Sequence, residues 1–258
     1  MRILAFLNQK GGVAKTTSVR NIAEFLKSQN KKVLLIDLDP QSNLTASFGE
    51  NKRLIENTIY SLFKQQVDKS DYDIHDFIVT LQGIDIIRNN LKFSKADLEF
   101  GSAMSREVIL KKILRNLLPT EYDYVLLDCP PALNLITYNA LVACDKVYIP
   151  LEAESFSLEG VADMLDTVEE IKNDLNSSLV IGGVFITRFK TQTNLHKTII
   201  ASLKEYFPTE LMNTYIRENV TVGEANAMKK SIIEYASNSN GAIDYRNLGR
   251  ELIEREGI

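Results

Sequence analysis

The chain has 258 residues, 45% of them hydrophobic and 25% charged, and this composition excludes a disordered tail, a coiled coil and a collagen-like fibre. Two cysteines and two histidines are too few for a disulfide scaffold or for a histidine-based metal site. The net charge of −4, taken alone, argues against a nucleic-acid-binding protein.

Short apolar runs typical of β-strands alternate with helix-length segments along the chain. The predicted strands are residues 3–7, 33–38, 84–87, 124–128, 146–150 and 179–187. The predicted helices are residues 16–28, 105–117, 153–173, 195–206 and 244–256, and the less regular segment 50–76 is expected to hold helical insertions. Several strands are apolar at every position, which indicates burial on both faces. The pattern predicts an α/β protein with a doubly wound, mostly parallel sheet flanked by helices, in one domain over residues 1–258.

The two ends of the chain predict neither a signal peptide nor a membrane anchor. The first apolar run is about seven residues long and no small-residue cleavage site follows it. The last predicted helix alternates charges and lacks bulky aromatic residues, so we expect it to pack on the core. The expected location is the cytoplasm.

The first strand leads into a glycine-containing loop that precedes a helix, the arrangement of a phosphate-binding loop. Glycines let backbone N–H groups face a phosphate, and the helix N-terminus adds positive potential. Lys15 would place its charge at the β- and γ-phosphates, and the Thr16 hydroxyl would bind Mg²⁺. The usual pattern has glycine at the positions of Gln9 and Ala14, and this chain has an additional lysine, Lys10.

Three carboxylates follow two of the predicted strands. Asp37 and Asp39 end the second strand, and Asp128 ends a later one. Ligands of an open parallel sheet bind beyond the carboxyl ends of its strands, so we expect these side chains to converge on the loop. There they could hold the waters of Mg²⁺ or orient an attacking water.

These motifs together resemble the MinD/ParA superfamily. The segment 10–17 is similar to its deviant Walker A box, and Asp37-Leu38-Asp39-Pro40-Gln41 and Asp128-Cys129-Pro130-Pro131 are similar to its second-strand and Walker B motifs. The resemblance continues through the segments 139–141, 149–151, 157–160, 193–195 and 241–245, and it covers nearly the whole chain. Within the superfamily the sequence is most similar to the ParA/Soj branch, the ATPases that partition plasmids and chromosomes.

The resemblance implies an ATPase that uses ATP and Mg²⁺ and that works as a homodimer with two ATP molecules between the protomers. Lys10 would reach the phosphates bound by the partner, as an arginine finger does in other P-loop proteins. Hydrolysis would be weak in one protomer and dependent on the dimer. The catalytic residues implied are Lys10, Lys15, Asp39 and Asp128.

The resemblance also implies the residues that contact ATP and the metal. The implied ATP-binding residues are Lys10, Gly11, Gly12, Val13, Ala14, Lys15, Thr16 and Thr17, with Arg217 and Asn219 beside the base. The implied metal-binding residues are Thr16, Asp37, Asp39 and Asp128.

The resemblance further implies that the ATP-bound dimer binds DNA without sequence preference, so that it associates with the nucleoid. A ParB-like centromere-binding adaptor protein would stimulate hydrolysis, and no membrane is involved. Between residues 188 and 230 basic residues exceed acidic ones by three. The candidate DNA contacts are Arg188, Lys190, Lys197, Lys229 and Lys230. Two positions depart from the family pattern, because Gln192 and Glu218 stand where the family commonly has arginine.

Three alternative functions share parts of this pattern. A ParA-like ATPase could position a cargo other than DNA with the same motifs. A MinD-like regulator that cycles on membranes would need a C-terminal amphipathic anchor, which is absent from the sequence pattern. An iron–sulfur reductase of the nitrogenase-component type would need interface cysteines, whereas Cys129 lies at a predicted strand end.

Overall fold

The computed structural model describes residues 1–152, 158–190 and 194–257, and the side chains of residues 158–160 and 194–198 are not described. Within these ranges seven strands form one sheet. They are β1 (Arg2–Phe6), β2 (Val33–Asp37), β3 (Ile78–Leu81), β4 (Ile84–Ile87), β5 (Tyr124–Asp128), β6 (Lys146–Glu152) and β7 (Val180–Thr187). The order across the sheet is β3-β4-β2-β5-β1-β6-β7, and every neighbouring pair is parallel except β3 with β4.

The helices of the described residues cover both faces of the sheet. They are α1 (Lys15–Ser28), α2 (Asn43–Ser47), α3 (Ile59–Asp68), α4 (Ala96–Phe100), α5 (Ile109–Leu114), α6 (Leu135–Ala143), α7 (Leu158–Asp174), α8 (Asn194–Tyr206), α9 (Val220–Ala227), α10 (Ile232–Tyr235) and α11 (Asn240–Glu256). Short 3-10 helices span Ile74–Phe77, Leu91–Lys95 and Arg106–Val108. The predicted doubly wound, mostly parallel sheet is therefore confirmed.

Alternate residues of each central strand enter different cores. In β1, Ala5 faces a core that contains buried residues of α3, α5 and α6. Leu4 and Phe6 face a second core that contains buried residues of α1 and α11. Because both faces are covered, the central strands are apolar throughout, and this pattern made them predictable.

The structure departs from the predicted elements at several places. The edge strand β3 and the helix α6 were not predicted, and neither were the short helices around residues 220–235. The predicted helix 105–117 is a 3-10 turn followed by α5. Helix α11 begins four residues earlier than predicted, because the Ser239 side chain accepts a hydrogen bond from the N–H of Ala242 and caps it. Residues 153–157 of the predicted helix 153–173 lie outside the described part.

Helix α11 packs its apolar side against the core and against α1. Ala242, Tyr245, Leu248 and Leu252 are buried there. None of the helices formed by the described residues has both the length and the hydropathy needed to cross a bilayer.

Gly249 of α11 packs directly against Phe25 of α1, and this contact provides a test of the packing. A Cβ atom at this position would overlap the ring of Phe25. We expect Gly249→Ala to lower the free energy of unfolding by about 1–3 kcal/mol, measured by urea denaturation. Gly223→Ala is the control, because a Cβ there meets nothing within 4 Å and the position is helical. Equal stability of the two variants would contradict this packing.

Candidate nucleotide site

The loop between β1 and α1 has the backbone of a phosphate-binding loop. Gly12 has a φ of 84° and Ala14 a φ of 63°, both in the left-handed region. Ala14 thus adopts the conformation that glycine provides in the usual pattern, at the cost of some strain. The departure at residue 14 does not change the course of the loop, and the N-terminus of α1 faces the same space.

Lys15 lies across the inside of the loop and is almost buried. Its ammonium group donates hydrogen bonds to the carbonyl oxygens of Asn8, at 2.8 Å, and Lys10, at 3.2 Å. Burial lowers the pKa of Lys15, and the carboxylate of Asp128 opposes this effect. A phosphate in the loop would meet a cation that is already held in position.

Thr16 and Asp128 form the contact between the loop and the sheet. The Thr16 hydroxyl donates a 2.8 Å hydrogen bond to Oδ2 of Asp128, which is fully buried. The other oxygen, Oδ1, is buried and accepts no hydrogen bond from the described residues. Burial raises the pKa of Asp128 well above its usual range, and the nearby Asp37 adds to the effect.

This pair has the donors that Mg²⁺ uses beside a bound nucleotide. Mg²⁺ retains several waters and binds through one or two protein oxygens together with the phosphates. The free oxygen of Asp128 and the Thr16 hydroxyl fit that pattern. Nowhere in the described ranges do three or more acidic, histidine or cysteine side chains form a cage for a metal ion.

Both carboxylate oxygens of Asp37 accept hydrogen bonds from neighbouring residues. Its Oδ2 accepts hydrogen bonds from the N–H and the hydroxyl of Thr45, at 2.8 and 2.6 Å, and its Oδ1 accepts one from the N–H of Asp39. Asn89 fixes the same turn, since it donates to the carbonyl oxygen of Asp39 and its own N–H donates to Thr45. The arrangement favours Asp37 as a support for Asp39, and only Asp39 reaches the cleft.

Lys10 has a different environment from Lys15. Its side chain is 49% exposed and its ammonium group lies 3.7 Å from a carboxylate oxygen of Glu152, at the end of β6. The Lys10 N–H donates to the side chain of Asn8, which itself donates to the carbonyl oxygen of Pro150 in β6. The loop is therefore joined to β6 as well as to β5.

A cleft of about 1100 Å³ opens above the loop. Its lining includes Thr17 and Asp39 together with Arg217 and Asn219, so the structure brings the phosphate loop and the predicted base-binding residues to one space. The Arg217 guanidinium binds Asp244 through several hydrogen bonds. Asn219 caps α9 through a hydrogen bond from the N–H of Thr221.

The candidate DNA contacts are mostly paired with acidic side chains. Arg188 lies 3.1 Å from Glu152, Lys190 lies 3.6 Å from Glu218, and Lys230 lies 3.4 Å from Glu234. Lys229 forms no ion pair with the described residues and lines the cleft. The side chain of Lys197 and residue Gln192 lie outside the described part.

Sequence reasoning missed several residues that shape the site. Thr45, Asn89 and Glu152 contact the motif residues, yet each is distant from its partner along the chain. Thr187 donates to the carbonyl oxygen of Val13 in the loop. Asn89, Glu152 and Thr187 are marked in the sequence only as polar residues near strand ends, and Thr45 lies in helix α2.

Comparison with known proteins assigns the family. A family model described as an AAA domain matches residues 1–181. The sporulation initiation inhibitor protein Soj of Bacillus subtilis is 40% identical over 97% of this chain and 98% of its own length. The chromosome-partitioning ATPase Soj of Treponema pallidum is 37% identical over 99% of this chain and 98% of its own length. The chain belongs to the Soj/ParA family of partition ATPases. This confirms the family predicted from the motifs.

Solved structures outside the curated Soj relatives have the same fold. A cobyrinic acid a,c-diamide synthase of Mycobacterium smegmatis with bound ADP and magnesium has a TM-score of 0.85 and 28% identity, covering 100% of this chain and 96% of its own. A plasmid partition protein of Borrelia burgdorferi bound to AMPPNP has a TM-score of 0.78 and 28% identity, covering 100% and 99%. The predicted fold is thus shared with solved structures that hold a bound adenine nucleotide or its analogue.

The buried carboxylates predict a pH dependence of stability. Burial raises the pKa of Asp37 to about 7, far above its usual value. Between the two values the native state binds more protons than the unfolded state, so the free energy of unfolding falls as pH rises and levels off above about pH 7. Urea denaturation of the nucleotide-free protein from about pH 5 to about pH 8 measures this slope.

Asp37→Asn is expected to reduce that slope without abolishing it, because Asp128 titrates in the same direction. The control is Asp163→Asn, which changes an exposed carboxylate and should leave the slope as it is. An unchanged slope in Asp37→Asn would contradict the assignment.

Proposed function

We propose that this protein partitions DNA as an ATP-bound homodimer that binds DNA without sequence preference and hydrolyses ATP when a ParB-like, centromere-bound adaptor stimulates it. The observation that carries the proposal is the difference in burial and in contacts between the two lysines of the loop. The buried Lys15 ammonium group donates to backbone carbonyl oxygens of the loop, whereas half of the Lys10 side chain is exposed. One lysine serves the bound nucleotide and the other is available to a partner.

Within one protomer, Lys15 binds the β- and γ-phosphates and the loop N–H groups surround them. Thr16 would coordinate Mg²⁺ and Asp128 would support it. When bound, Mg²⁺ neutralises charge on the phosphates. Gly11, Gly12, Val13, Ala14 and Thr17 complete the loop, and Arg217 and Asn219 flank the base.

Asp39 orients the water that attacks the γ-phosphate. Its carboxylate accepts a hydrogen bond from the N–H of Gln41 at 2.8 Å, which fixes its direction at the cleft. Asp37 and Asn89 hold the backbone that presents it. Water orientation and charge stabilisation supply most of the catalysis in phosphoryl transfer, so a well-held Asp39 is needed.

Lys10 completes the site of the partner protomer. The transition state spreads negative charge over the γ-phosphate oxygens, and a cation supplied in trans stabilises it. An isolated protomer lacks this charge, and its hydrolysis is slow. Dimerisation therefore couples ATP binding to activity.

The cleft draws on both halves of the chain, which supports one domain over residues 1–258. Its lining extends from Gly11 to Tyr245. The apolar side of α11 is buried, so this helix does not serve as the membrane anchor that a MinD-like regulator would use. A cargo other than DNA remains the competing function, and DNA binding decides between the two.

Two lysine variants test the division of labour in the loop. We expect Lys15→Ala to lose ATP binding and Lys10→Ala to retain it while failing to dimerise, and the stimulated hydrolysis rate of Lys10→Ala to fall by about 10²-fold. Light scattering after size exclusion with ATP and Mg²⁺ measures the dimer. Lys64→Ala, an exposed lysine of α3, is the control. A normal Lys10→Ala dimer would refute the role of Lys10 in trans.

Filter binding tests the DNA interaction. We expect ATP-dependent binding at low salt that weakens steeply as salt rises, because it depends on counterion release. Charge reversal of Lys229 and Lys230 to glutamate should abolish it. Reversal of Lys112 and Arg115, exposed residues on and next to α5, is the matched control and should have little effect. No ATP-dependent binding of the unmodified protein at low salt would favour another cargo.

A further inference from the structure

Glu152 connects the loop to Arg188, one of the candidate DNA contacts. It is the last residue of β6, and its side chain is 14% exposed. One carboxylate oxygen lies 3.7 Å from the ammonium group of Lys10, and the other lies 3.1 Å from the guanidinium of Arg188. A single partly buried carboxylate thus lies between two cations from different elements.

The backbone next to Lys10 is attached to the same strand. The N–H of Lys10 donates to Asn8, and Asn8 donates a 2.7 Å hydrogen bond to the carbonyl oxygen of Pro150, two residues before Glu152. Both the main chain and the side chain of Lys10 are therefore held by β6 of its own protomer.

We infer that Glu152 is a positioning residue that retains Lys10 in its own protomer and so sets how much ATP is needed to form the dimer. The inference rests on the proposed function of Lys10. The ammonium group cannot pair fully with Glu152 and with a phosphate of the partner at once, so the carboxylate competes with the nucleotide. Dimerisation requires this pair to open in both protomers.

The geometry keeps the free-energy cost of separating Lys10 from Glu152 low. A buried carboxylate that loses its only cation is strongly unfavourable. Here Arg188 stays beside Glu152 when Lys10 leaves, so the charge remains compensated. Ion pairs with a half-exposed member, such as Lys10–Glu152, are weak. We expect this pair to raise the ATPγS concentration needed for dimerisation by about two- to fivefold for each protomer.

The test is an ATPγS titration of dimer formation, followed by light scattering after size exclusion. Glu152→Gln should dimerise at a lower concentration of ATPγS than the unmodified protein. The expected shift is at least about two- to fivefold, because each dimer opens two pairs and each pair contributes about that factor. Raising the salt concentration should narrow the difference, since salt screens the exposed pair. Glu152→Asp keeps the charge and should return the midpoint toward the original value.

Two controls separate this role from a structural one. ADP needs no cation from the partner, so ADP affinity should be the same in Glu152→Gln and the unmodified protein. Glu107→Gln removes an equal charge from the ion pair with Arg106, outside the cleft, and should leave the ATPγS midpoint unchanged.

The outcomes distinguish the inference from the proposed function. Equal ATPγS midpoints for Glu152→Gln and the unmodified protein, with Lys10→Ala unable to dimerise, would overturn the inference alone. A parallel change in ADP affinity would assign Glu152 a structural role and overturn it as well. An unmodified protein that stays monomeric with ATPγS, or a Lys10→Ala variant that dimerises normally, would overturn both.

Discussion

Two buried carboxylates on adjacent strands impose the constraint on which the rest of the site depends. Asp37 and Asp128 face each other in the register of β2 and β5, and both are fully buried. Burial disfavours their charged forms, and repulsion adds to it, from Asp39 in the case of Asp37 and from Asp37 in the case of Asp128. Hydroxyl groups of Thr45 and Thr16 and the ammonium group of Lys15 offset this cost. The contacts of Thr16 and Lys15 with Asp128 thus position the loop against this edge of the sheet.

The strand order gives the two lysines of the loop different acidic neighbours. Because β1 lies between β5 and β6, the loop that follows it has Asp128 on one side and Glu152 on the other. Lys15 is buried near Asp128, whereas Lys10 pairs with Glu152 and is half exposed. The same loop therefore holds one lysine buried beside the sheet and leaves the other half exposed beside Glu152, and the proposed trans role of Lys10 depends on this difference. This asymmetry follows from the sheet and not from the loop sequence alone.

Local patterns predicted the central strands, the phosphate loop and the acids at strand ends, because parallel buried strands are apolar throughout and ligand sites follow their carboxyl ends. The pairing of Thr45 and Asn89 with the second-strand acids was not predictable, since it depends on how α2 and β4 meet. Helix α6 was missed because Ile136, Ala140, Leu141 and Val142 leave no polar face to give it a period. The edge strand β3 is short, and only half-buried residues mark it.

The net charge of −4 acquires a more precise meaning from these contacts. Acidic side chains pair with most of the candidate DNA-binding cations in the described residues, so little free positive charge is presented by one protomer. The pairs of Lys190 and Lys230 are exposed and therefore weak, and a phosphate backbone can displace their partners at low salt. Arg188 differs, because its partner Glu152 also pairs with Lys10 of the phosphate loop. In the proposed ATP-bound dimer, binding to a polyanion would depend on adding the weak contacts of two protomers.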